Sequence, residues 1–181
     1  MDFFEVIEKR YSHKEKFLPD AVPLEKLEQI ARAGLVAPTG GNSQCVRLVI
    51  LPDREMIQRL CGLSQCDALT TAPAAIAVLT DASSAAQTGA FNFETEDYSA
   101  AAENMLLAAV ALGYCSLWLD YPWMSNQNNQ KAALEILGAP EGYTLRALLP
   151  IGLPDGPGTR REKLPFESRV SYGRFGARKN T

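Results

Sequence analysis

A long alanine-rich stretch, EDYSAAAENMLLAAVALGY, runs from Glu96 to Tyr114 and restricts the fold more than any other part of the chain. Its composition favours a helix, and apolar side chains would lie on most sides of that helix. A helix of this kind has to be covered by other elements. Glu103 and Asn104 interrupt the apolar run, which is also too short to cross a bilayer. We therefore expect a central helix from Asp97 to Gly113.

Short apolar runs alternate with helical patterns along the rest of the chain. Four runs predict buried strands: RLVILP, PAAIAVLTD, CSLWLD and YTLRALLPIG. Further helices are predicted in DFFEVIEKR, PLEKLEQIARAGLV, DREMIQRLCG and QNNQKAALEILG. Pro23 suits the first position of the second of these helices. The alternation indicates an α/β or α+β chain in which helices cover a sheet.

Composition limits the class of protein. The 181 residues, 46% of them hydrophobic, can bury one core, so we expect a single domain over residues 1–181. A net charge of -3 and a pI near 5.3 argue against a nucleic-acid-binding protein. The start of the chain does not read as a signal peptide.

The cysteine and histidine content argues against several kinds of site. Cys45, Cys61, Cys66 and Cys115 form no CxxC pair, and His13 is the only histidine, so we expect no metal site. The thiols are interpreted as reduced packing groups of a cytoplasmic protein that has no membrane partner. No GxSxG elbow is present, so a serine hydrolase is not expected either.

Two basic clusters lie near opposite ends of the chain. EKRYSHKEKF contains Arg10, Ser12, Lys14 and Lys16, and GTRREKLP contains Arg160, Arg161 and Lys163. Each cluster is commonly a solvated charged segment, because basic side chains suit helix ends and tails. The alternative is that the two clusters form a cradle for a phosphate, in which arginine supplies a fork and serine a hydroxyl. Spacing alone does not decide between these interpretations.

The loop APTGGNSQC, from Ala37 to Cys45, is rich in amide and hydroxyl groups. It lacks the GK[ST] ending of a P-loop, so it does not predict nucleoside triphosphate binding. Gly40 and Gly41 could provide positive φ angles for a turn between a helix and a strand. DGPGTR, further along, has the wrong glycine spacing for a dinucleotide-binding fingerprint.

Five sequence blocks occur in order along nearly the whole chain: KRYSHK, APTGGNSQ, EDYSAAAENMLLAAVALGYCSLWL, LLPIGLP and RREKLPFES. In this order they resemble the nitroreductase family of FMN-dependent NAD(P)H oxidoreductases. The resemblance implies an α+β fold, with a central mixed β-sheet wrapped by helices, in an intertwined homodimer. It also implies two FMN molecules at the subunit interface, with the tail, about residues 153–181, reaching over the partner.

The resemblance assigns roles to individual residues. Arg10, Ser12 and Lys14 correspond to the family's block that grips the FMN phosphate and ribityl chain. The late basic pair, Arg161 and Lys163, would complete the phosphate site. In the loop, Asn42 and Gln44 would hydrogen-bond the isoalloxazine ring, and Arg47 would approach the flavin.

The sequence departs from the family pattern at two places. Cys45 and Val46 stand where members commonly carry Pro-Trp, which removes a rigid turn residue and a packing group. Lys14 stands in place of an arginine, which keeps the charge but loses the fork.

The resemblance implies a ping-pong cycle. NADH or NADPH would pass a hydride to flavin N5, and a nitroaromatic, quinone or similar small planar acceptor would then take the electrons, with no catalytic side chain of the protein required. Phe91 and Phe93 are candidates for the acceptor wall, although ordinary packing explains them equally well. The alternatives are a flavin storage or sensing protein, a dehalogenating or flavin-cleaving relative, and an α/β domain without flavin.

Overall fold

The computed structural model describes residues 1–64, 66–88 and 91–179. Its helices are α1 (Phe3–Lys9), α2 (Leu24–Leu35), α3 (Arg54–Cys61), α4 (Asp67–Thr71), α5 (Glu94–Ala111), α6 (Tyr121–Met124), α7 (Gln127–Leu137) and α8 (Phe166–Arg169). Its strands are β1 (Val46–Leu51), β2 (Ala74–Asp81), β3 (Gln87–Thr88), β4 (Phe91–Asn92), β5 (Cys115–Ser116) and β6 (Tyr143–Gly152).

The main sheet has four strands in the order β1-β2-β6-β5, and each neighbouring pair is antiparallel. The sequence resemblance predicts a mixed sheet, with both parallel and antiparallel strands. Within the described ranges, the parallel pairing is limited to an isolated bridge between Ser12 and Ser116 beside the edge strand. β3 and β4 form a separate two-stranded antiparallel sheet.

Strand β2 explains how the sheet divides the core. Alternate side chains of a strand point to opposite faces, so a strand covered on both faces reads as a continuous apolar run. Ile76 and Val78 pack in the cluster that contains residues of α2 and α5. Ala77 and Leu79 pack in the other cluster, with Trp123 and residues of α3 and α7. The predicted central helix is confirmed as α5, although it begins at Glu94 and ends at Ala111.

Two predicted boundaries were wrong. Pro23 lies outside α2 as its N-terminal flanking residue, with extended backbone angles, and the helix begins at Leu24. The third predicted strand pairs regularly only at Cys115 and Ser116. Leu117 then packs into a separate cluster with Phe17, and pairing returns only as an isolated bridge at Leu119.

Candidate functional site

The two basic clusters lie in one cleft. Its volume is about 580 Å³, and its lining includes the predicted phosphate ligands: Arg10, Ser12, Lys14, Arg161 and Lys163. We call this space the anion cleft. The first three residues follow α1, and the other two belong to the tail, so the fold joins segments that are about 150 positions apart in sequence. This convergence favours the cradle interpretation over two independent solvated segments.

Carboxylates share the anion cleft with the cations. The Glu103 Oε1 atom, on α5, lies 3.3 Å from Arg10 Nε, and both side chains are partly exposed. Glu15 accepts hydrogen bonds from the backbone N–H of Lys14 at 3.0 Å and of Thr159 at 3.2 Å. Backbone N–H groups, including that of Glu15 itself, lower the pKa of the Glu15 carboxyl. Glu15 therefore stays charged and connects the N-terminal segment to the tail.

Arg160 fixes the tail beside the cleft. Its guanidinium donates hydrogen bonds to the backbone carbonyls of Glu8 and Lys9 at the end of α1, where carbonyls lack helical partners. It also lies over the Tyr11 ring, with 5.5 Å between Cζ and the ring centroid. Arg160 and Arg161 both line the cleft, and the contacts of Arg160 with α1 and Tyr11 hold this part of the tail in place.

The loop from Ala37 to Cys45 has a strained backbone. Gly40–Asn42 form a single 3₁₀ turn. Gly41 has a φ of 57°, as predicted, and Asn42 and Gln44 also have positive φ angles of 56° and 49°. Non-glycine residues adopt this region only when their surroundings fix it, and such strain is concentrated at functional sites.

Gly40 was predicted to provide a positive φ, but it does not adopt one. The structure shows another reason for a glycine at this position. A Cβ on Gly40 would lie 2.7 Å from the Phe93 Cγ atom, so the glycine allows the ring to approach the backbone. Phe93, predicted as an acceptor wall, thus packs against the loop, whereas Phe91 is 73% exposed.

Asp97 holds this loop from the first turns of α5. Its buried carboxylate accepts hydrogen bonds from the Gly40 backbone N–H at 2.7 Å and the Ser43 hydroxyl at 3.0 Å, and the Cys45 thiol lies 3.2 Å away as a third donor. Burial, followed by the contact with Asp97, raises the pKa of the Cys45 thiol to about 11. Cys45 is therefore a protonated donor that holds the end of the loop.

Asp97→Asn should destabilise the protein by about 1–2 kcal/mol, because the new amide N–H would face donors and leave a buried hydrogen bond unmade. Urea unfolding followed by circular dichroism measures this, and labelling of Cys45 by a thiol reagent should become faster. Glu96→Gln removes the same charge from an exposed position on α5 and should change stability by less than about 0.5 kcal/mol. Equal effects of the two substitutions would contradict the role of Asp97.

The loop borders a second space, which we call the loop groove. It has a volume of about 630 Å³, and Gln44 and Arg47 are among the residues that line it, whereas Asn42 is exposed and is not. Arg47 Nη1 donates to the Gln44 carbonyl at 2.6 Å. Of the predicted loop ligands, the structure therefore places Gln44 and Arg47 in one groove.

The loop groove and the anion cleft lie on different sides of α5. Ala101 lines the groove and Glu103 lines the cleft. Residues two apart on an α-helix point about 200° away from each other, so the two spaces are separated by the helix within one chain. The predicted flavin ligands thus fall into two sets that a single chain does not join.

Sequence reasoning gave no role in the site to Asp97 or Glu103, and it identified Arg160 only as a member of the second basic cluster. An acidic residue near the start of a helix is usually a partner of the helix dipole, which makes Asp97 inconspicuous. In the part of the chain that the structure describes, no helix is long and apolar enough to cross a membrane, and no group of His, Cys, Asp and Glu side chains could hold a metal ion.

Comparison with known proteins gives consistent results. The chain matches the model described as "Nitroreductase family" over residues 7–64 and 62–153. A protein of Archaeoglobus fulgidus, which carries the provisional name NADH dehydrogenase/NAD(P)H nitroreductase, is 35% identical over 132 residues, or 72% of this chain and 73% of that protein.

Solved structures share the fold. A nitroreductase family protein from Clostridium difficile 630 is 28% identical, with a TM-score of 0.82, and the match covers 96% of this chain and 99% of that one. An FMN-dependent nitroreductase from another strain of that species is 25% identical, with a TM-score of 0.80, and the match covers 96% and 100% of the two chains. The resemblance to the nitroreductase family and the predicted α+β fold class are therefore confirmed.

Proposed function

The chain belongs to the nitroreductase family, and on that premise we propose that it is an FMN-dependent oxidoreductase. It takes electrons from NADH or NADPH and passes them to a small planar acceptor, such as a nitroaromatic or a quinone. The observation that carries this proposal is the convergence of Arg10, Ser12, Lys14, Arg161 and Lys163 on one cleft. The FMN-dependent relative supports the choice of cofactor.

The anion cleft fits the phosphate of FMN. A phosphate dianion requires fixed cations and hydrogen-bond donors, and the cleft offers arginine, lysine and hydroxyl groups from segments whose backbones are held in place. The His13 backbone N–H donates to the Ser116 carbonyl at 3.0 Å, which ties the first segment to the edge of the sheet. Arg160 ties the second segment to α1.

We further propose that the ring of the flavin is held by the loop of a second copy. Asn42, Gln44 and Arg47 lie away from the anion cleft of their own chain, so one FMN can meet both sets only if two chains combine. Large apolar side chains of α1 and the tail, each more than half exposed, are suited to an interface: Phe3, Phe4, Leu164, Phe166 and Phe175.

Sedimentation at low micromolar concentration should therefore show two chains with FMN bound. Phe166→Glu places a charge in the exposed apolar set and should shift the protein towards the monomer, with loss of flavin. Val36→Glu, at another exposed apolar position, is the matched control. A stable monomer of the unmodified chain that retains FMN would contradict the shared site.

Bound FMN supplies the two-electron chemistry, and the protein supplies binding, orientation and electrostatics. Cations of the anion cleft neutralise the phosphate and fix its position. The strained loop, held by Asp97, presents the Gln44 and Asn42 amides without having to reorganise.

We expect donor and acceptor to use one exposed position in succession, because the sequence contains no nucleotide-binding fingerprint that would hold NADH or NADPH at a site of its own. Initial rates against NADH or NADPH at several acceptor concentrations should give parallel reciprocal lines. Intersecting lines would contradict the ping-pong cycle and indicate a second binding site. A yellow protein that neither nicotinamide bleaches under anaerobic conditions would instead be a storage or sensing protein.

A further inference from the structure

The only histidine of the chain is completely buried immediately behind the anion cleft. His13 lies between Ser12 and Lys14 in sequence and has no exposed surface. Its Nε2 atom is 2.9 Å from the Lys16 carbonyl oxygen, and its Nδ1 atom is 3.3 Å from the Tyr11 hydroxyl. A carbonyl oxygen can only accept, so Nε2 carries the hydrogen. Nδ1 faces two oxygens, the Tyr11 hydroxyl and, at 3.6 Å, Oε2 of Glu15.

The Tyr11 hydroxyl is held from a second side by Cys115. The Cys115 Sγ atom lies 3.4 Å from the phenol oxygen, and either group can donate in this contact. Burial, followed by the contact with Cys115, raises the pKa of Tyr11 to about 12, so the phenol keeps its hydrogen at neutral pH. The resulting chain of hydrogen bonds runs from Cys115 through Tyr11 and His13 to Lys16.

The Tyr11 ring, in turn, is the surface on which the tail rests. Arg160 stacks over this ring, and Gly158 lies so close that a Cβ atom there would overlap the phenol. Only a residue without a side chain fits this position while the ring keeps its orientation. The orientation that His13 imposes on Tyr11 therefore affects where residues 158–163 lie, including Arg161 and Lys163.

We propose that His13 and Tyr11 are positioning residues of the anion cleft, which align its N-terminal ligands and hold the tail ligands opposite them. The phosphate selectivity of the cleft then depends on a buried histidine outside its lining and on Tyr11, which lines the cleft while its hydroxyl is held by His13 and Cys115. This inference rests on the proposed binding of FMN for its ligand, but its effect on the tail is independent of flavin.

The test uses Tyr11→Phe, which keeps the ring and removes only the hydroxyl, and His13→Leu, which fills a similar space without hydrogen bonds. Tyr143→Phe is the matched control. It removes a phenol hydroxyl from β6, where Tyr143 packs against the core cluster that contains Trp123. Flavin-free protein is digested with trypsin, and the rates of cleavage after Arg161 and Lys163 are measured. The dissociation constants of FMN and riboflavin are then measured by flavin fluorescence.

Tryptic cleavage should be several-fold faster in Tyr11→Phe than in the unmodified chain or Tyr143→Phe. The dissociation constant of FMN should rise about five- to tenfold, the scale of one lost hydrogen bond, while that of riboflavin, which lacks the phosphate, should change less than about twofold. His13→Leu should act in the same direction, and Tyr11→Phe alone decides the matter if His13→Leu does not fold.

Unchanged cleavage in Tyr11→Phe would overturn the inference whether or not the protein binds flavin. Equal weakening of FMN and riboflavin would also overturn it, since that pattern indicates general destabilisation. If the unmodified chain binds no FMN while the tail is released as expected, the proposed cofactor is wrong and the positioning of the tail by Tyr11 stands.

Discussion

Replacing Arg146 with methionine is expected to lower the free energy of unfolding by about 3–5 kcal/mol, because it leaves a buried charge without its partner. Glu94, at the start of α5, is 7% exposed, and its Oε1 atom lies 3.0 Å from Arg146 Nη2. Arg146 Nε also donates to the Thr80 hydroxyl at 2.8 Å. One guanidinium on β6 thus connects β2 to the helix that carries Asp97 and Glu103.

The loss should depend on pH. Burial raises the pKa of Glu94, but hydrogen bonds from Thr80 and Arg146 outweigh it, so the pKa is lowered overall. A carboxyl whose pKa is lower in the folded than in the unfolded state stabilises the fold above the unfolded pKa, about 4.3, and this contribution is lost as the pH falls below it. The difference between the unmodified protein and Arg146→Met should therefore shrink between neutral pH and acid pH.

Urea unfolding at pH 7 and at acid pH measures both effects. Arg32→Met is the matched control, because Arg32 pairs with Glu28 at 3.9 Å on the exposed surface of α2. Pairs of that kind contribute about 0–1 kcal/mol, so this control should change stability little and without a strong dependence on pH. A loss in Arg146→Met no larger than in the control would show that the buried pair does not anchor α5.

The parts of the fold that depend on burial were predictable from the sequence. The apolar composition of α5 and of β2 requires cover on both sides, whatever the connectivity. The length of the strand predicted over residues 115–120 could not be read from the sequence. Regular pairing ends after Ser116, because Leu117 packs in a separate apolar cluster with Phe17, which is distant in sequence.

The site was predictable as a set of residue types and only partly as an arrangement. Arg160 and Arg161 are identical neighbours in the sequence and both line the cleft, yet Arg160 also binds the carbonyls at the end of α1 and stacks on the Tyr11 ring. Arg160 takes this position because of the Tyr11 ring, which lies about 150 positions away in the sequence and shares no pattern with the arginines. The positive φ angles of Asn42 and Gln44 were missed for a similar reason, since their neighbours Gly40, Ser43 and Cys45 are held by Asp97 from another element.

Arg10→Ala is expected to weaken FMN binding about 10- to 150-fold, which corresponds to about 1.5–3 kcal/mol for a hydrogen bond to a charged group. Lys163→Ala should act in the same direction, because both cations line the anion cleft although they lie at opposite ends of the chain. Equilibrium titration with flavin measures both, and Arg32→Ala removes an equal charge from α2, outside the cleft, as the control.

Glu103→Gln should have the opposite effect. Without a phosphate, Arg10 is paired with Glu103 at 3.3 Å, so a phosphate has to compete with this carboxylate for the guanidinium. Removal of the negative charge releases Arg10 and reduces repulsion of the anion. Because Glu103 is half exposed, the gain in affinity should be modest, about two- to fivefold.

Unchanged affinity in both Arg10→Ala and Lys163→Ala would remove the phosphate assignment of the cleft. Tighter binding only in Glu103→Gln, with Arg10→Ala unchanged, would show that Glu103 acts as a general repulsive charge and not through Arg10.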